Sequence, residues 1–317
     1  MNYFLISFIS IVKLFSLALG GYLFFKIKIF HKYYKYLLYY VVDIGLPILI
    51  IVRMAKKINY HNFNQYIIIF FAGVTILLTG FLLGLIFAKI FKIEEKYKSI
   101  FLGLMTFTNM GYLPIPLFES IFKGEAAIQA QLYVFIIIIP FHLLLWSIGV
   151  PLILNRKFKL KELRFKITTP FVAVLIGLIL PFLKIPQTFF NTIEPGFSIL
   201  AKSLNPLIMI MLGGSFANMS LNNIKFDRYV FAVILAKLLF LPLIALIVII
   251  NLNFDTVLKI FLLVEFSVPP AVNIVIINKR YGGTEENLKF ILSSMVYTYI
   301  FSIISLPLLL FILNLFS

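Results

Sequence analysis

The sequence predicts an all-α integral membrane protein of ten transmembrane helices, arranged as two inverted repeats of five. Three observations carry that expectation. The chain of 317 residues is 62% hydrophobic and only 13% charged, with a mean hydropathy of +1.06, which is more apolar surface than a soluble core absorbs. Apolar runs long enough to cross a hydrocarbon layer of roughly 30 Å recur from end to end. Proline-containing interruptions stand at matching offsets in the two halves.

The apolar windows place spans at 3–25, 36–54, 65–90, 99–122 and 127–154, then at 170–183, 189–217, 229–250, 256–278 and 288–313. Span 1 reads as an uncleaved helix, because no basic region precedes it and its apolar stretch is too long for a signal peptide. Residues 1–154 form the first repeat, 155–169 a basic linker and 170–317 the second repeat. No soluble domain interrupts them.

The net charge is +16, yet the positive residues sit in short loops between spans. They read as topology signals facing anionic lipid headgroups, not as a nucleic-acid surface. Loops on the side of the linker carry 19 Lys and Arg and those on the other side carry 5. That asymmetry places the linker in the cytoplasm and both termini outside, in the plasma membrane. The absence of cysteine removes disulfides, thiolate metal sites and cysteine nucleophiles. No cofactor is expected.

The interruptions define the candidate site. Span 2 carries Asp43-Ile44-Gly45-Leu46-Pro47 and span 7 carries Leu204-Asn205-Pro206, with the prolines 159 residues apart. Span 4 carries Asn109-Met110-Gly111-Tyr112-Leu113-Pro114-Ile115-Pro116, and span 9 carries Val268-Pro269-Pro270-Ala271-Val272-Asn273; Pro114 and Pro270 are 156 apart. Five spans per half is odd, so a duplication inserts its halves in opposite orientations. Two prolines inside one span remove donors and clash with the preceding turn, which predicts discontinuous helices in spans 4 and 9. Such breaks survive at membrane depth only where protein or a wet cavity satisfies the freed backbone. Each half-helix that starts after a break directs about half a positive charge at the gap, which favours an anion. Asn109 and Asn273 add amide donors.

Ionisable residues inside the spans are expensive and candidate-functional. Asp43, Glu265 and Lys202 each stand about one turn from an interruption and read as coupling groups or as ion-pair partners, with Lys202 a candidate partner for Glu265. Lys13 and Lys237 lie in spans 1 and 8. His142 reads as a packing residue, since no second ligand stands at metal spacing. Gly213-Gly214 and the glycines from Gly73 to Gly84 read as sites of close helix approach.

At these residues the sequence resembles the auxin efflux carrier family, whose bacterial members are described as permeases. The resemblance spans essentially the whole chain. It is most specific at 109–117, 145–150, 170–180, 205–217 and 268–282. It implies a scaffold part and a transport part, with spans 4 and 9 crossing at their breaks, and small carboxylates as substrates, dicarboxylates in bacteria and indole-acetic acid in plants. The binding role then falls on Asn109, Gly111, Tyr112, Pro114 and Pro116 with Pro269, Pro270 and Asn273. Asp43 and Glu265 depart from the family pattern and raise the question of a coupled proton or cation.

The leading expectation is a gradient-driven carrier of a small organic anion in the lipid bilayer, since no nucleotide-binding loop is present. The alternatives are a sodium-coupled symporter of the bile-acid type and, from another class, an intramembrane enzyme using Asp43, Glu265 or His142. The enzyme reading lacks any paired-aspartate or zinc-protease signature. The sequence leaves the oligomeric state open, a homodimer included.

Overall fold

A computed structural model describes residues 3–58, 63–156, 167–183, 187–219 and 224–316. Most of the basic linker (157–166), Lys184 and both chain ends lie outside that description. The described chain is helical, with one isolated antiparallel bridge.

The helices follow the apolar windows closely. The first is α1 (Tyr3–Lys26). The second is a continuous segment, Lys28–Lys57, built from α2 (Lys28–His31), α3 (Tyr34–Tyr39), a π turn (Tyr40–Gly45) and α4 (Leu46–Lys57). Next come α5 (Phe63–Ile90), α6 (Glu95–Thr106), α7 (Pro114–Ile121), α8 (Glu125–Leu144), a π turn (Leu145–Gly149) and α9 (Val150–Ile153). The second half holds α10 (Thr169–Ile179), α11 (Gln187–Ala217), α12 (Arg228–Leu235), a π turn (Ala236–Phe240) and α13 (Leu241–Ile250). It ends with α14 (Thr256–Ser267), α15 (Asn273–Arg280) and α16 (Glu285–Leu315).

Seven helical segments among the described residues are long and apolar enough to cross a bilayer. The difference from ten has a physical reason. Spans 4 and 9 are each divided into two short helices, and the segment Thr169–Leu183 is apolar but shorter than the rest.

Proline acts in three ways here. Each π turn is followed by a helix with proline in its second position, Pro47, Pro151 and Pro242. The missing N–H and the ring's pressure on the carbonyl four residues back shift the ladder by one residue for a turn. The interruption expected at Asp43–Pro47 is therefore a π turn, not a gap. Span 7 differs from expectation too: α11 runs unbroken through Pro195 and Pro206, because a single proline removes one bond from a helix of 31 residues. Only in spans 4 and 9 does the helix stop.

Packing sorts the helices into two groups. In the first, α1 lies along α11 and α4 packs on α10 and α11; in the second, α5 packs on α6 and α8, and α14 and α12 pack on α16. Each half of the chain thus contributes its first two spans to one group and its last three to the other. The seam is formed by α1 against α16 and α7, by α11 against α7, and by α4 and α10 against α8.

Glycine permits the closest approach. A Cβ on Gly213 would meet the Ala18 carbonyl oxygen, and one on Gly21 would meet that of Ile210, so α1 and α11 touch backbone to backbone. On α5, Gly80 faces the Met105 carbonyl of α6 in the same way, and Gly73 faces Ile137 and Pro140 of α8.

Candidate functional site

The two interrupted spans meet. Residues 107–109 run antiparallel to residues 269–271: the Asn109 amide donates to the Pro269 carbonyl at 2.8 Å, and the Ala271 amide donates to that of Phe107 at 2.9 Å. The backbone groups freed by each break are thus satisfied largely by the other, which removes the cost of leaving them bare inside a membrane. Pro269 and Pro270 suit this segment because proline favours extended backbone and the bridge uses the Pro269 carbonyl and the Ala271 amide, so neither missing proline donor is called on.

Asn109 is 3% exposed and works largely within the protein. Its Oδ1 accepts from the Tyr112 amide at 3.1 Å, fixing the turn into α7, and its Nδ2 donates to the Tyr299 hydroxyl at 2.6 Å. The Tyr299 hydroxyl in turn reaches the Pro270 carbonyl at 3.4 Å. One amide hydrogen of Asn109 remains for a ligand. Asn273 differs: it opens α15, is half-buried, and among the described residues its side-chain amide has no partner.

Two clefts flank the junction along the seam between the helix groups. The first, about 100 Å³, lies between Val42, Leu46 and Thr168 on one side and Asn109, Tyr112 and His142 on the other. The second, about 180 Å³, lies between Tyr34, Ser215 and Asn218 of the first group and Val275, Ile276 and Lys279 of the second. Tyr112 and Asn273 border both. A larger apolar groove of about 440 Å³ between α1, α11 and α16 touches the far side of Tyr299.

The half-helix ends offer mainly a field. At the start of α7, Pro114 and Pro116 have no N–H, and the amides of Ile115 and Leu117 are bonded to the carbonyls of Gly111 and Leu113. At α15 the amides of Ile274 and Val275 are bonded to Ala271 and Val272. The aligned dipoles remain, and the side-chain amides of Asn109 and Asn273 stand beside them as donors.

Of the residues singled out from sequence, Asn109, Gly111, Tyr112 and Asn273 line the clefts. Pro114, Pro116, Pro269 and Pro270 are buried and shape the junction without lining it. Asp43 is exposed and accepts from the Thr169 hydroxyl at 2.6 Å. Glu265 is fully buried while Lys202 is exposed on α11, and no ion pair joins them. The expected pairing fails because Lys202 occupies the wrong face of its helix. His142 does pack, stacked on Phe171 with centroids 5.0 Å apart, but it also lines the first cleft, its Nε2 lying 3.3 Å from the Thr168 hydroxyl. Thr168, Ser215, Asn218 and Tyr299 are not legible as site residues in the sequence, since a lone hydroxyl or amide carries no pattern.

At the end of the seam away from the basic loops, ion pairs tie the groups together. Arg53 Nη1 lies 3.6 Å from Glu119 Oε2, and Lys57 Nζ lies 2.7 Å from Glu125 Oε1. Gln131 Nε2 also donates to Glu119 at 2.8 Å.

The profile of the membrane transport protein family matches the chain twice, over residues 6–169 and 154–310. The chain belongs to this family, that of the auxin efflux carriers. A comparison with curated proteins finds no match. The family is one of membrane transporters, and its two matches fall on the two halves in which the interruptions recur.

Proposed function

We propose that the protein is a secondary transporter of a small organic anion, a mono- or dicarboxylate, which binds at the junction of the two interrupted spans. On this reading ten spans cross the plasma membrane as two inverted repeats with both termini outside. The group of α1, α4, α10 and α11 forms the scaffold, and the remaining helices form the transport part. The observation that carries the proposal is the side-chain amide of Asn273, unpartnered among the described residues, which stands with Tyr112 in the wall shared by both clefts, against the junction and on the seam between the groups. A site shared by two bodies is the arrangement that alternating access requires.

Cleft size supports a small ligand. Both volumes fall below the roughly 300–1,000 Å³ of drug-sized sites, so a short-chain acid fits better than an indole. Thr168, Asn218 and Lys279 line the clefts and adjoin the basic loops in sequence, while the opposite end is held by the two ion pairs. The conformation is therefore read as open to the cytoplasm.

The test is counterflow of radiolabelled succinate, malate and acetate in proteoliposomes, with melting of the purified protein followed in the same acids. Saturable counterflow, together with stabilisation of about 2.7 kcal/mol at 100 times the dissociation constant, is expected for at least one acid. Absence of both effects across mono- and dicarboxylates would overturn the substrate class. Uptake that requires sodium would favour the symporter of bile-acid type.

A further inference from the structure

Glu265 lies on α14, four residues ahead of Pro269, and is 0% exposed. Neither of its carboxylate oxygens has a hydrogen-bond partner among the described residues, and it borders neither of the clefts nor the apolar groove. An ionised carboxylate so placed forfeits its hydration with nothing in return, whereas the neutral acid loses far less. Something must neutralise it.

The surroundings narrow the choice. Six elements pack on α14: α5, α7, α8, α13, the π turn Ala236–Phe240 and α16. Their buried titratable groups are Tyr66, Tyr133, His142, Lys237 and Tyr299. The Lys237 ammonium donates to the Met105 carbonyl at 2.7 Å, at the C-terminal end of half-helix α6, where a positive charge is favoured. Tyr133 bonds Gln65 and Gln129, Tyr299 bonds Asn109, and His142 meets Thr168. None of the five bonds Glu265. The other ionisable groups of α14 and these elements, Lys259, Lys89, Glu119, Glu125, Glu285, Glu286, Lys289 and Tyr297, are not buried. No cluster of three metal-ligating side chains occurs among the described residues. A metal ion asks for several oxygen ligands, while a proton asks for one.

We propose that Glu265 is a proton-binding site of the transport cycle, protonated in the conformation described here and exchanging its proton with water when the two helix groups move relative to one another. The bond that forms is O–H on one carboxylate oxygen; the proton comes from water on one face of the membrane and returns to water on the other. The movement rests on the transporter reading, but the protonation does not.

Infrared absorption of the full-length protein in proteoliposomes, without added substrate, tests it across a pH series. The wild type should show a protonated-carboxyl C=O stretch at neutral pH that is absent from Glu265→Gln and that converts to a carboxylate band at alkaline pH. Glu265→Asp should shift the band, and it identifies the residue if the Gln variant does not fold. The proposal is overturned if the band is missing at neutral pH, if sodium at constant pH abolishes it, or if it persists unchanged to the most alkaline pH at which the protein stays folded. Failure of the anion reading would leave this result untouched, because no anion takes part in the measurement.

Discussion

The side-chain amide of Asn109 donates to the Tyr299 hydroxyl at 2.6 Å, joining the break after α6 to a helix 190 residues further along the chain. Both groups are buried. Tyr299→Phe keeps the ring and removes the acceptor, so an amide hydrogen is left bare in a low-dielectric interior at a cost of about 1–3 kcal/mol. The variant should melt earlier than the wild type in detergent. An unchanged melting curve would mean that this bond does not hold the junction.

Asn273→Ala should behave in the opposite way. Its amide has no partner among the described residues, so folding loses little, whereas a bound carboxylate loses a charge-assisted hydrogen bond of about 1.5–3 kcal/mol. That corresponds to a weakening of roughly 10- to 150-fold in affinity for whichever acid the wild type binds. Titration by calorimetry with melting in parallel checks both halves. Equal affinity in variant and wild type would remove Asn273 from the site.

These two asparagines also show what the sequence can and cannot reveal. Paired prolines beside asparagine mark both breaks, because nothing else in a span removes so many donors at once. The helix boundaries follow from the length of apolar runs that a bilayer enforces. The partner of Asn109 is hidden, since a contact across 190 residues leaves no local pattern. Lys202 misleads for a related reason: depth along a span is legible from sequence, but the face it occupies depends on which helix packs against it. Single prolines are ambiguous as well, absorbed at Pro206 and turned into π turns ahead of Pro47, Pro151 and Pro242.

Glu119→Gln should loosen the end of the seam away from the basic loops. Arg53 then keeps its charge beside a neutral amide, and a partly exposed pair of this kind contributes about 0.5–1 kcal/mol. The population open on that side should rise by a factor of about 2–5. Because the native chain contains no cysteine, Ile138→Cys in the first cleft can report it, using a membrane-impermeant thiol reagent applied from each face. Labelling from the face away from the basic loops that is equal with and without the Glu119→Gln substitution would show that the pair does not hold the seam closed.

On the face of the basic loops, the carboxyl of Glu94 sits just before α6 and accepts from the Tyr229 hydroxyl at 2.8 Å, with Lys96 Nζ 3.5 Å from its other oxygen. The tyrosine bond first, and the nearby Lys96 and Arg228 after it, hold this carboxyl below the usual glutamate range. A depressed folded-state value means that the contribution to stability is complete above the unfolded value of about 4.3 and is lost as pH falls through the folded one. Wild type and Glu94→Gln should therefore differ in melting temperature by a constant amount above about pH 5, with the gap closing below about pH 4. The site is solvent-exposed, so the difference should also shrink in high salt. A gap that widens on acidification would reverse the sign and show that Glu94 binds its proton more tightly in the folded protein than in the unfolded one.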